Sequence, residues 1–255
     1  MKIYADNFGK LRESITNLPN NRKMRKSDLL VSQFRLFKDD KIEIFYIPFD
    51  YVNKDAVITL IGITPGWTQM QRAFSVARSE LSEAGNLTSS YKKIKIYSSF
   101  SGQIRSNITS MLDDIGLDKK LKLDSCEQMF KEKNELIHTT SAVRYAVFRR
   151  NDGYNNYSGA YPDALSHFEL KKYIQDCLAV ELKKVSSSLV IPLGKAVTSI
   201  LRHLVSHEVI QSDRCLWGFP HPSGANGHRL KQFKNEKEYM IKQVESWKNK
   251  KIRRQ

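Results

Sequence analysis

The sequence predicts an α/β fold, a three-layer α/β/α sandwich around a central, mainly parallel four-stranded sheet. Three observations carry this. Ala56–Ile61 (AVITLI) and Leu189–Leu193 are near-continuous apolar runs, the composition of strands buried on both faces. Each is followed by a glycine-bearing turn and a helical pattern, which makes a βα unit. The third is Leu216–Arg229 (LWGFPHPSGANGHR), with two prolines and three glycines in fourteen residues. That composition excludes a helix or a central strand, because proline lacks a donor and glycine resists ordering. A rigid loop at a strand end is where α/β proteins place their sites. Its plainer reading is an ordinary connection.

Asp6–Leu18 has a helical pattern stopped by Pro19. Asn20–Lys26 brings together Arg22, Lys23, Arg25 and Lys26, a candidate for phosphate contact, although such runs are commonly solvated turns. Lys41–Tyr51 reads as a strand turning at Pro48. Ala56–Ile61 ends in Gly62-Ile63-Thr64-Pro65-Gly66, and a helix follows from Met70 to Ala84. Backbone donors and a helix start suit an anion there, but the Gly-Lys-Ser/Thr of a Walker loop is absent. Asn86–Phe100 reads as a connection. Ile104, Ile108, Met111, Leu112 and Ile115 then share one face of a helix capped by Gly116. Glu135–Val143 is the second buried strand. It opens onto Arg144–Pro162, an aromatic and basic loop whose Arg and Tyr residues suit stacking and phosphate contact. Phe168–Lys184 is a helix, Leu189–Leu193 the third strand, Lys195–Val205 a helix and Cys215–Phe219 the fourth strand. A helix over Lys231–Lys250 and a basic tail over 246–255 close the chain, after an N-terminal helical extension over 1–40. The chain reads as a single domain over residues 1–255.

The 42 basic and 27 acidic side chains leave a formal charge of +15, which favours a polyanionic partner. Three dispersed cysteines with no CxxC pair argue against a disulfide framework, a zinc ribbon or an iron–sulfur site, and point to the cytoplasm. The N-terminus lacks a signal-peptide core, and no window approaches the ~20 apolar residues of a membrane span.

The ordered set GITPG, Phe100-Ser101-Gly102, Leu193-Gly194-x-x-Val197 and His221-Pro222-Ser223 resembles the uracil-DNA glycosylase superfamily, across about Tyr46 to Arg229. The resemblance implies a monomeric DNA glycosylase without metal or cofactor. It would rotate a base out of the duplex and hydrolyse its N-glycosidic bond. It places His221 on the base carbonyl, to steady the departing anion, and Thr64 at the attacking water. Ile63, Phe100, Ser141 and Gly66 would surround the base, with Phe100 stacked on it. Pro65, Gln69, Pro222, Ser223, Gly224, Asn226 and Arg229 would hold DNA, with Ala225–Gly227 near the vacated stack.

Two departures matter. Thr64 stands where many members carry Asp or Asn, so Gln69, Gln103 or Asp152 are alternative holders of the water. Gly66 stands where strict uracil enzymes carry Tyr, and Ser141 where they carry Asn. Both changes enlarge the pocket and favour a modified or damaged base, such as a glucosylated hydroxymethylcytosine of phage DNA. The expected roles are therefore repair or anti-phage defence. Nothing in a motif marks a Schiff-base lysine, so the enzyme is expected to be monofunctional. The competing readings are a non-catalytic reader of modified or single-stranded DNA on the same fold, and an enzyme of nucleotides using GITPG as an anion cradle.

Overall fold

The computed structural model describes residues 7–82, 87–150 and 153–248. Among them the strands are β1 (Arg35–Lys38), β2 (Ile42–Phe45), β3 (Ile58–Gly62), β4 (Ile137–Ser141), β5 (Ala146–Arg149), β6 (Asn155–Asn156) and β7 (Leu189–Pro192). The long helices are α1 (Trp67–Ser82), α2 (Leu87–Ser98), α3 (Gln103–Asp114), α4 (Lys195–Ser206) and α5 (Arg229–Ser246). The chain is mixed α/β and divides into two compact units.

The first unit takes Met1–Tyr51, Thr64–Ser99 and Val143–Cys177. Its sheet is antiparallel, in the order β1-β2-β5-β6. The β1–β2 turn is closed by Asp39, whose Oδ1 accepts from the amides of Lys41 and Ile42, an aspartate turn that reverses the chain. β2 pairs β5 from Ile42–Arg149 to Phe45–Ala146. Glu43 on β2 is buried and charge-paired with Arg35, Lys38 and Arg150. Phe74 of α1 packs its ring 4.8 Å from Phe34 and 6.4 Å from Tyr46.

The second unit takes Val52–Ile63, Phe100–Ala142 and Leu178–Gln255. Its sheet is parallel, in the order β4-β3-β7, with every strand residue buried. The β-branched runs read from sequence are these strands. Ile108, Met111 and Leu112 of α3 and Phe233, Met240 and Val244 of α5 join Leu60, Ile191 and Leu216 in one apolar core. Removing that apolar area from water is the main force holding the unit together. His138 of β4 and Glu181 form a buried pair at 3.1 Å, and the Asn53 amide donates to His138 Nδ1.

Several expectations are corrected. The fourth strand, Cys215–Phe219, is reduced to a parallel bridge between Val190 and Cys215, with the Leu216 amide donating to Val190 O. Gly218 takes φ 96° and Pro220 has no amide to donate, so the ladder stops there. The parallel sheet thus has three strands plus one bridging position. Asn86–Phe100 is not a connection: α2 fills most of it. Arg144–Pro162 is not all loop, because β5 and β6 lie within it. The helix read over Asp6–Leu18 is two short ones, Asn7–Lys10 and Arg12–Thr16, and Asp6 lies outside the described residues. Phe168–Lys184 is interrupted by a π-helical turn, Ile174–Leu178, within which the chain passes from the first unit to the second. The basic tail beyond Lys248 lies outside the described residues.

Candidate active site

In the second unit, β3 and β4 end side by side, with Gly62 paired to Ser141. A Cβ on Gly62 would stand 3.1 Å from Phe100 Cε1 and 3.7 Å from Ser141 Oγ, so glycine here is what lets the phenyl ring lie against the strand end. Phe100 itself has φ 49°, a left-handed conformation that aromatic side chains rarely adopt. Phe100 and Ser141 therefore converge at the carboxyl end of β3, and Ile63, also buried, is the next residue of the chain.

At the end of β7, Gly194 turns with φ 91° and donates its amide to Phe219 O. A Cβ on Gly194 would fall 2.8 Å from His221 Cβ, so the His221 loop rests directly on this glycine. The loop is pinned at almost every residue. Asn107 Nδ2 donates to Pro222 O at 2.7 Å. Asn226 Nδ2 donates to His221 O at 3.1 Å and to Gln232 Oε1 at 3.0 Å. Arg229 donates to Ser223 O at 2.9 Å, and Ser223 Oγ accepts from the Ala225 amide. Asn226 and Arg229, read from sequence as DNA contacts, hold the loop in shape. Gly224 is exposed with nothing near the position of a Cβ.

The Ser223 amide donates to His221 Nδ1 at 3.3 Å. A nitrogen that accepts carries no proton, so the neutral ring has its hydrogen on Nε2. Burial pushes the His221 pKa down and keeps the ring neutral near pH 7. The loop thus presents an uncharged N–H donor.

The first-motif loop belongs to the first unit. Thr64 is buried, and its hydroxyl donates to Tyr145 O at 2.7 Å and accepts from the Val147 amide at 3.0 Å. It straps the loop to β5. Pro65 is buried and Gln69 half-buried. The space that Gly66 was expected to leave open holds another residue: a Cβ there would meet Asn156 Nδ2 at 3.2 Å. Asn156 Oδ1 accepts from the Trp67 amide at 2.8 Å, which fixes the carboxamide beside Gly66. The Tyr161 ring, 55% exposed, has Lys41 Nζ and Arg149 Cζ each 5.9 Å from its centroid. Of the other candidate water holders, Gln103 donates to Asn107 Oδ1, and Asp152 lies outside the described residues. Asn107 carried no sequence signal and Asn156 only that of lying within Arg144–Pro162, since each matters through a partner far away in the chain. The three cysteines are buried and free, and burial pushes the Cys215 thiol up to about 12. Among the described residues no group of three or more His, Cys, Asp or Glu could hold a metal ion, and no helix is long and apolar enough to cross a membrane.

No family model and no solved structure matches the chain. The uncharacterized protein YoxB of Bacillus subtilis (strain 168) is 39% identical over 238 residues, 92% of this chain and 91% of YoxB. The chain belongs to the YoxB family. That match covers both units of the fold, so the pinned His221 loop and the first-motif loop lie on one continuous YoxB-like chain.

Proposed function

We propose that this YoxB-family protein is a monofunctional DNA glycosylase that removes a modified or damaged base and leaves an abasic site. The observation that carries the reading is His221, a neutral imidazole whose Nδ1 is occupied by the Ser223 amide and whose Nε2–H is left to donate. Breaking an N-glycosidic bond leaves the electron pair on the base and positive charge on the sugar. A fixed N–H donor on the base carbonyl stabilises that anion without surrendering its proton. Water then adds to the sugar carbon, its hydroxyl staying there and its proton going to the base. Phe100, held in a strained conformation against Gly62, supplies an aromatic face, and Ser141 Oγ a short polar contact.

The finer architecture belongs to the same reading: the Cys215 bridge makes a fourth parallel position in the order β4-β3-β7-Cys215, within a three-layer sandwich. The substrate is DNA. The absence of a tyrosine at Gly66 favours a 5-substituted cytosine by resemblance, while within the first unit the Asn156 carboxamide takes part of the space that change would open. Such a base gives the protein a role in repair or in defence against phage.

One observation favours a second reading, a non-catalytic reader of modified DNA. The Thr64 hydroxyl is committed to Tyr145 and Val147, and no carboxylate takes its place in the first motif.

Base release separates the two. The protein is incubated with DNAs carrying uracil, mismatched thymine, hypoxanthine, hydroxymethylcytosine and its glucosylated form. Alkali-labile sites are scored and the freed base is identified by mass. The glycosylase releases one of these, and His221→Ala lowers the rate ~100-fold or more. The reader releases none, binds DNA tightly and binds equally well as His221→Ala.

A further inference from the structure

Beside His221, in the second unit, lies a cleft of about 1010 Å³ that the motifs did not indicate. It is lined by Trp217–His221 and by residues of α4 and α5. Lys195, Thr198 and Arg202 line it from α4, and Gln232, Asn235 and Tyr239 from α5. Each set is spaced i, i+3, i+7, so each helix turns one polar face to the cleft. Packed helices ordinarily meet through apolar faces. Here the buried residues of α4, Val197, Ile200, Leu201 and Leu204, lie on its other side, facing the core.

The lining has the chemistry of a nucleotide site. Arg202 lies over the Trp217 ring, 5.6 Å from its centroid, and the Tyr239 ring is 52% exposed. Cations beside aromatic rings grip the backbone and stack the bases of single strands. Lys195 stands at the first turn of α4, at the His221 end of the cleft, and Arg202 lies two turns along, about 10 Å away. Asn235 and Gln232 offer amides to a base edge. Glu236, the acid in the lining, is folded against Gly218, whose absent side chain leaves it room: a Cβ there would come within 2.9 Å of Glu236 Oε2. A carboxylate in that place accepts from an exocyclic amine.

We propose that this cleft is a second nucleotide subsite, which takes an unpaired nucleotide of a DNA strand next to the one presented to His221. The inference shares with the glycosylase reading its ligand, a DNA strand, and needs no base excision.

The test is the binding of fluorescein-labelled dT4, an oligonucleotide without any modified base, followed by anisotropy. Arg202→Glu and Tyr239→Ala change exposed side chains and are expected to leave thermal unfolding unaltered. Each weakens dT4 binding about tenfold or more. Lys183→Glu makes the same change in net charge as replacing one cation by an acid elsewhere, on the short helix Ala179–Lys184 outside the cleft, and leaves the affinity within about twofold. Wild-type affinity in Arg202→Glu and Tyr239→Ala overturns the proposal, as does an equal loss in Lys183→Glu. Displacement of dT4 by equimolar dTMP assigns the cleft to a free nucleotide and overturns the strand assignment. Base release is read on the same proteins. If no base is released but the two cleft variants still lose dT4, the glycosylase reading falls and the subsite stands.

Discussion

His221 is held neutral by two independent causes, and together they fix its response to pH. Burial lowers its pKa, and the Ser223 amide pointing at Nδ1 would face a second donor if that nitrogen were protonated. The folded-state pKa therefore lies below the ~6.5 of a free imidazole. Below pH 6.5 the unfolded chain binds a proton that the folded chain does not, so this group's contribution to stability is present above 6.5 and is lost as pH falls toward the folded pKa. Base release is expected to stay level from pH 9 to about 6.5 and to decline only in more acid solution. An inflection in kcat/KM above pH 7 that disappears in His221→Gln would show a ring that works protonated, and would sink the neutral-donor mechanism. The imidazole was legible from sequence because its neighbours, Pro220, Pro222 and Gly224, punctuate the chain so strongly. What fills the space at Gly66 was not legible. Asn156 is ninety residues further on, and only the pairing of β6 with β5 brings it back. The motif position of Thr64 suggests a water holder, whereas the partners of its hydroxyl, Tyr145 O and the Val147 amide, are a tertiary fact.

At the scale of elements, the joint between β7 and α4 supports the site. Gly194 has φ 91° and ψ 168°, a region that is essentially confined to glycine. Gly194→Ala adds that backbone strain, about 1–3 kcal/mol, to a Cβ contact with His221 at 2.8 Å. It is expected to lower unfolding stability by about 2 kcal/mol or more in urea, and to reduce base release beyond what the unfolded fraction explains. Gly224→Ala is the contrast, since its Cβ would enter open space; stability should stay within about 0.5 kcal/mol. Equal losses in the two variants would show that Gly194 has no special place under His221. The parallel strands were legible because burial on both faces leaves an unbroken apolar run. α2 was hidden by its composition, since lysines and serines give a weak apolar stripe and Asn86 resembles the start of a loop. β5 was hidden inside a stretch dominated by its Arg, Asn and Gly residues. Its burial comes from β2, which no local pattern announces.

At the scale of the molecule, the proposed DNA binding by a chain of charge +15 is expected to weaken steeply with salt, but the cations do not all serve it. Arg22 donates from both terminal guanidinium nitrogens to Asp28 at 2.7 Å and holds that carboxyl down at about 2. Lys26 donates to Gly153 O and Tyr154 O. In the first unit, Arg35, Lys38 and Arg150 surround the buried Glu43. The run over Arg22–Lys26, uniform in sequence, is therefore divided in the fold: Arg22 and Lys26 tie the chain together by hydrogen bonds, Arg25 adds its charge to the hold on Asp28, and Lys23 extends from an exposed turn. A released counterion requires a cation that reaches a phosphate. Lys23→Gln and Arg25→Gln are each expected to reduce the slope of log Kd against log salt by about 1; Lys23→Gln leaves stability unchanged, and Arg25→Gln removes only a charge attraction to Asp28. Arg22→Gln is expected to destabilise the fold at neutral pH and to leave the slope nearly as it was. Its effect should fade as pH falls through the depressed pKa of Asp28, because the protonated carboxyl no longer attracts the guanidinium. Fluorescence titrations of duplex DNA between 50 and 200 mM salt, about the range over which such contacts are resolved, measure the slope. Equal slopes for all three variants would mean that the turn faces away from DNA, and the excess charge would then have to act through other surfaces, with the Lys195–Arg202 wall of the cleft the first to examine.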